Sequence, residues 1–271
     1  IAVTMGDPCG IGPEIVIKAA ADPALRELCD MYLCGNREIF RSAARRLNLT
    51  AEIPSSFWKN NIAEVPCPPL PEEAIGKVQA IGGRAAYDCI KRATELALDN
   101  TNSISAVATA PINKEALRAA GIQTIGHTEL FAEFTGVKDP LTMFETLGLR
   151  VFFLTRHVSL RRACDMVTEE RLTDYIVRCT KALADSGIKT GTMAVAGLNP
   201  HCGEHGLFGT EEDAVRAAVK KARQAGYAVE GPISADSVFH LAKIGRYNSV
   251  LSLYHDQGHI ATKTLDFERT I

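Results

Sequence analysis

Three histidines fall just past the ends of three apolar runs. His157 lies one residue beyond LRVFFLT (149–155), His201 follows TMAVAGL (192–198) after Asn199 and Pro200, and His255 follows SVLSLY (249–254) directly. Neutral imidazole is the commonest protein ligand for divalent metals. Three protein ligands with open positions suit a catalytic metal better than a structural one. In open α/β sheets ligands bind outside the carboxyl ends of the strands, so three such ends would aim three imidazoles at one crevice. Any one of these histidines alone is more often a satisfied polar residue than a ligand; for three in matching positions both readings stand.

Carboxylates and cations accompany them. Asp256 follows His255, and Asp236 sits in GPISADSVF; either could orient a ligand or move a proton, or could cap a helix. Lys114 in TAPINKEAL and Lys263 in YHDQGHIATK follow strands closely, where a cation could hold a phosphate or carboxylate or simply stay solvated. His127 and Thr128 follow a glycine in GHTE (126–129), as anion-binding or capping groups. His205, His240 and His259 receive no role; His240 falls on a helical stretch and the other two in loops.

The elements that must position these groups alternate. Strand-like runs at 1–5, 31–35, 105–110, 149–155, 192–198 and 249–254 are separated by helical stretches such as 37–47, 83–98 and 211–225. That rhythm predicts an α/β fold with a largely parallel, helix-covered sheet. Residues 51–72 are proline-rich and read as a surface excursion. The stretch GDPCGIGPE (6–14) follows the first strand, and a dinucleotide fingerprint fails there because Ile15 occupies the third glycine position. Gly10 and Gly12 instead permit a sharp, close turn, with Pro13 where a helix can begin. The loop would either present amides and Asp7 to a ligand or serve as a tight structural turn.

Composition narrows the function classes. The chain has 271 residues and a formal net charge of −2, which argues against a general nucleic-acid or membrane-surface binder. The densest positive stretch, TRHVSLRR (155–162), reads as a solvated strand end. Eight scattered cysteines without a C-x-x-C predict reduced thiols and a cytoplasmic location. No apolar run reaches the ~20 residues of a membrane span, and IAVTMGD lacks the charged start of a signal peptide. The chain opens on Ile and stops at DFERTI, from which further residues at both ends are expected.

Seven ordered phrases, TMGDPCGIGPE, TAPINKEAL, GHTELFAEFTG, TRHVSL, GLNPHCGEHGLFGTEE, GPISADSVF and YHDQGHIATK, resemble the 4-hydroxythreonine-4-phosphate dehydrogenase family of pyridoxal phosphate biosynthesis from residue 3 to about 267. The resemblance implies an isocitrate/isopropylmalate dehydrogenase-like fold, with two α/β domains flanking a cleft. It implies a homodimer with an interfacial active site, and NAD or NADP bound without the Rossmann fingerprint. The first domain is expected over 1–125, rejoined by about 250–271. The second is expected over 126–249, with two of the metal ligands and the dimer contacts.

Carried over residue by residue, the resemblance makes His157, His201 and His255 ligands of one divalent ion (Zn, Co, Mg or Mn). It makes His127 and Thr128 substrate contacts, Lys263 the phosphate-region lysine, and Asp236 and Asp256 acidic groups near the reacting centre. An asparagine and an arginine contact are implied beyond Ile271. The expected reaction is oxidation of the C3 hydroxyl of a phosphorylated four-carbon hydroxy acid by NAD, followed by decarboxylation of the 3-keto acid. TRHVSL departs from the TTHLPL of the biosynthetic enzymes, and YHDQGHI is closer to relatives acting on 4-phospho-D-threonate or 4-phospho-D-erythronate. A non-redox metal-dependent hydrolase or a sugar-phosphate binding module is the competing class.

Overall fold

The computed structural model describes residues 1–271 apart from Ile125 and Lys189. Its backbone divides into two compact units, Ile1–Pro140 and Leu141–Ile271.

The first unit contains β1 (Ala2–Thr4), α1 (Gly12–Ala21), α2 (Pro23–Leu28), β2 (Tyr32–Gly35), α3 (Arg37–Arg46) and α4 (Ser55–Asn60). It continues with β3 (Ile62–Glu64), α5 (Ala80–Leu98), β4 (Val107–Thr109), α6 (Lys114–Ala119) and α7 (His127–Thr135). Its four strands pair in parallel in the order β3-β2-β1-β4. Helix α3 shows why the sequence folds this way locally. Asn36 caps it by accepting the amides of Glu38 and Ile39, while Phe40, Ala43 and Ala44 recur on one face and are buried.

The GDPCGIGPE loop turns inward. A Cβ on Gly12 would lie 2.4 Å from the Met5 carbonyl oxygen, so only glycine permits this approach. Gly10 carries no such demand, its would-be Cβ meeting nothing nearer than 3.5 Å. Asp7 is buried and accepts the Cys9 amide at 2.8 Å. Of the two sequence readings, the tight structural turn is the one these contacts describe.

The second unit contains β5 (Met143–Thr146), β6 (Leu149–Phe153), α8 (Leu160–Asp165), α9 (Glu169–Asp185) and β7 (Met193–Ala196). It ends with α10 (Glu212–Gln224), β8 (Val229–Ile233), α11 (Ala235–Lys243), β9 (Ser249–Ser252) and α12 (His255–Leu265). The sheet order is β5-β6-β9-β7-β8, antiparallel only between β5 and β6. Alternate residues of each strand face opposite layers. Phe152, Leu154, Met193 and Val195 pack with Leu172, Ile176, Val215 and Ala218 of α9 and α10. Val151, Phe153, Ala194 and Ala196 pack with Val238 and Ala242 of α11.

Two sequence expectations about domain organisation differ from this. The unit boundary falls after Pro140, whereas residue 125, the expected end of the first domain, lies outside the described residues. Residues 250–271, expected to rejoin the first domain, belong to the second unit, where β9 is hydrogen-bonded to β6 and β7. The second unit therefore carries all three predicted metal ligands. A parallel strand's partners are remote in sequence, so an apolar run does not reveal which sheet it joins.

Candidate active site

The histidines sit where the sheet places them. β6, β9 and β7 are adjacent and parallel, so His157, His255 and His201 all leave the sheet at the carboxyl edge. His157 and His255 stand with ring centroids 5.8 Å apart. With metal–nitrogen bonds of about 2.1 Å, two imidazoles on one cation have centroids about 5–6.5 Å apart, a range that includes this separation. His201 does not join them in the single chain. Among the described residues no three His, Cys, Asp or Glu side chains are close enough to hold a metal. The expected three-histidine cluster is thus present as a pair. β9 is flanked by β6 and β7 alike, and His201 is set off from the end of its strand on a left-handed turn.

His255 opens α12 and is held from two sides. Its Nδ1 lies 2.6 Å from the Asp256 carboxylate, and the ring of His259 stacks on it at 3.8 Å with an 11° interplanar angle. His259 Nδ1 is in turn 2.8 Å from the His255 carbonyl oxygen. Burial pushes the His259 imidazole below its usual pKa. His259 was expected in a loop; it lies on α12, at the i,i+4 spacing that brings two side chains onto one helix face. A carboxylate on one ring nitrogen fixes the tautomer and leaves the other free to ligate. Beside the pair is a cavity of about 300 Å³ lined by Arg156, His157, Val158, Leu160, Tyr254 and His255.

His201 lies on a tight left-handed turn. Residues 201–205 all have positive φ, from 43° at Glu204 to 81° at Gly203. The turn is anchored by Glu212, whose side chain is fully buried. Its Oε1 accepts the amides of Leu198 at 2.8 Å and Asn199 at 2.6 Å, and its Oε2 accepts Asn199 Nδ2 at 2.9 Å. Arg216 Nη2 donates to the Cys202 carbonyl at 3.1 Å. Asp236 is exposed in the first turn of α11, and burial, Glu212 and Asp236 together push the Cys202 thiol up. Lys263 lies in the last turn of α12, with Nζ 5.4 Å from the Phe267 ring centroid.

In the first unit His127 and Thr128 begin α7 behind Gly126, and no side chain caps that helix. Its free amides and dipole favour an anion. His127 adds a second sign of a ligand: its Nε2 is buried with no hydrogen-bond partner among the described residues. Desolvation lowers the pKa of this imidazole, and a backbone hydrogen bond to Ala110 opposes that effect. A neutral ring donating to the Ala110 carbonyl through Nδ1 keeps an Nε2 lone pair able to accept a further hydrogen bond. Lys114 is exposed at the start of the short α6, which Asn113 caps through the Ala116 amide.

Sequence reasoning missed His259, Glu212 and Gln257. A buried glutamate next to Glu211 at a helix start looks like dipole compensation. Nothing in its neighbours announces that its carboxylate reaches back to Leu198 and Asn199.

The family model described as pyridoxal phosphate biosynthetic protein PdxA matches residues 27–271. A Clostridium botulinum protein named "Putative D-threonate 4-phosphate dehydrogenase" is 54% identical over all of this chain and 84% of its own length. The crystal structure of 4-hydroxythreonine-4-phosphate dehydrogenase from Klebsiella pneumoniae matches with a TM-score of 0.81 at 40% identity, covering 100% of this chain and 86% of that one. A 4-hydroxythreonine-4-phosphate dehydrogenase structure from Burkholderia phymatum matches with a TM-score of 0.83 at 34% identity, covering 98% and 83%.

Proposed function

Because the chain belongs to the pyridoxal phosphate biosynthetic protein PdxA family, we propose that it oxidises the C3 hydroxyl of a phosphorylated four-carbon hydroxy acid with NAD(P) as hydride acceptor. The observation that carries this reading is the His157–His255 pair, 5.8 Å apart at the exits of two adjacent parallel strands beside an open cavity. His157 and His255 would hold a divalent cation, with His201 of the second copy of a homodimer as third ligand. Such a cation acts as a Lewis acid toward the alcohol oxygen and lowers the cost of developing negative charge.

The chain's own groups do the rest. Asp256 orients His255 through the 2.6 Å contact. His127 offers its unpartnered Nε2 to a substrate hydroxyl, and Thr128 with the α7 amides receives an anionic group. Lys263 and Lys114 are point charges for phosphate or carboxylate. The hydroxyl proton passes to Asp256 or Asp236. A bound nicotinamide would supply the hydride acceptor for C3, and the resulting 3-keto acid would lose CO₂ to give a ketone phosphate.

Two substrates differ at one substituent. D-Threonate 4-phosphate carries a C2 hydroxyl where 4-hydroxythreonine 4-phosphate carries an amine. The 54% identity to the Clostridium protein favours the hydroxy acid, and so does Arg156 on the cavity wall, since a guanidinium there repels an ammonium group. The test is NADH formation at 340 nm with each compound. A kcat/KM at least about tenfold higher for D-threonate 4-phosphate is expected, equal to about 1.4 kcal/mol of discrimination. The reverse preference assigns the amino acid phosphate, and phosphate release without NADH would make the protein a hydrolase.

A further inference from the structure

The three histidine-bearing exits are joined by two buried side chains. Thr155, two residues before His157, donates its Oγ1 to the Leu253 carbonyl at 2.8 Å. Gln257 reaches in both directions from the first turn of α12. Its Oε1 accepts the Leu253 amide at 2.7 Å, and its Nε2 donates to the Gly197 carbonyl at 2.8 Å. Leu253 is two residues before His255, and Gly197 is four before His201. The amide orientation is dictated by its partners, since only the oxygen can accept an N–H and only the nitrogen can serve a carbonyl. The side chain is 8% exposed, so neither backbone group has water as a substitute.

We propose that Gln257 is a positioning residue of the metal centre. It fixes the turn carrying His201 relative to the helix start carrying His255, whichever copy's cation each ligates. This rests on the metal reading above. No other side chain of this length does both jobs. Glutamate would oppose a carboxylate oxygen to the Gly197 carbonyl, and methionine would leave both backbone groups unpaired. The neighbouring Gly258 brings α12 close enough for the reach. A Cβ there would lie 2.5 Å from Phe153 Cε1 and 2.7 Å from Ser252 Oγ.

The experiment is Co²⁺ titration of the metal-stripped full chain against a competing chelator, for the parent, Gln257→Met, Gln257→Glu and Ser252→Ala. Ser252 is the control, because its Oγ donates to the Phe152 carbonyl at 2.8 Å within the sheet and serves neither Leu253 nor Gly197. Outer-shell partners of metal ligands typically contribute 10–100-fold in affinity. Gln257 touches the backbone beside the ligands and not the ligands themselves, so both variants should bind Co²⁺ about tenfold more weakly, the low end of that range. Ser252→Ala should melt at a lower temperature with Co²⁺ affinity within about twofold of the parent, as expected when no outer-shell contact is lost. Gln257 variants that melt lower but keep the parent's Co²⁺ affinity would reduce the residue to a structural stitch and overturn the proposal. A parent that takes up no Co²⁺ defeats the metal reading itself, and the inference with it.

Discussion

His255→Ala should abolish stoichiometric binding of a divalent cation and, with it, NADH formation. His255 is the hub of the exit cluster. It faces His157 at 5.8 Å, donates its Nδ1–H to the Asp256 carboxylate, and stacks on His259. Residues that merely orient a ligand contribute 10–100-fold in metal affinity, so removing the ligand itself should cost more than about 100-fold. His157→Ala should behave alike. His240, exposed on α11, serves as a control whose replacement leaves both readouts unchanged. Isothermal titration with Zn²⁺ and absorbance at 340 nm check the result. The His255→Ala chain should still fold, because that side chain is half-exposed and fills no core position.

The second large effect concerns stability. Glu212→Ala removes the acceptor of three N–H groups, two of them backbone amides, from a fully buried position. Each buried donor left unsatisfied costs about 1–3 kcal/mol. The turn it anchors already holds four non-glycine residues in the left-handed region, at about 1–2 kcal/mol each. A loss of about 3–5 kcal/mol is expected, seen as a fall of about 10 °C or more in Tm. Glu212→Gln should lose less. Its single carboxamide oxygen can still accept the Leu198 and Asn199 amides, leaving only the Asn199 side chain to be reoriented. Thermal melting of the two variants followed by circular dichroism checks the order. A Glu212→Ala protein as stable as the parent would mean that Arg216 and the loop backbone hold the turn unaided.

Much of this arrangement is legible in the residues. The apolar runs ending near His157, His201 and His255 do form β6, β7 and β9, and their parallel order puts the three exits side by side. Three strands escape the pattern for identifiable reasons. β8 reads VEGPI, and its Gly231-Pro232 pair looks like a breaker, yet β8 is an edge strand, where a missing N–H costs no ladder bond. β5 is short and joins β6 through Leu147-Gly148, both at positive φ, a turn without the usual Asn-Gly signal. β3 lies in the proline-rich excursion, again at an edge. α12 hides behind Gly258, which looks like a helix breaker but is required by the approach to Phe153. Overlooking that helix also hides the stacking of His259 on His255. What sequence could not supply is distance. The same three strand ends are compatible with a triad or a pair, and apolar runs carry no distances that separate them.

The most direct measurement follows NADH formation by the chelator-stripped protein supplied with NAD⁺ and D-threonate 4-phosphate, as Zn²⁺ or Co²⁺ is returned in increments. The stripped chain should be silent, and activity should rise in proportion to added ion until the histidine sites are filled. Undiminished turnover before any ion is restored would contradict the assignment of the imidazoles at 157, 201 and 255.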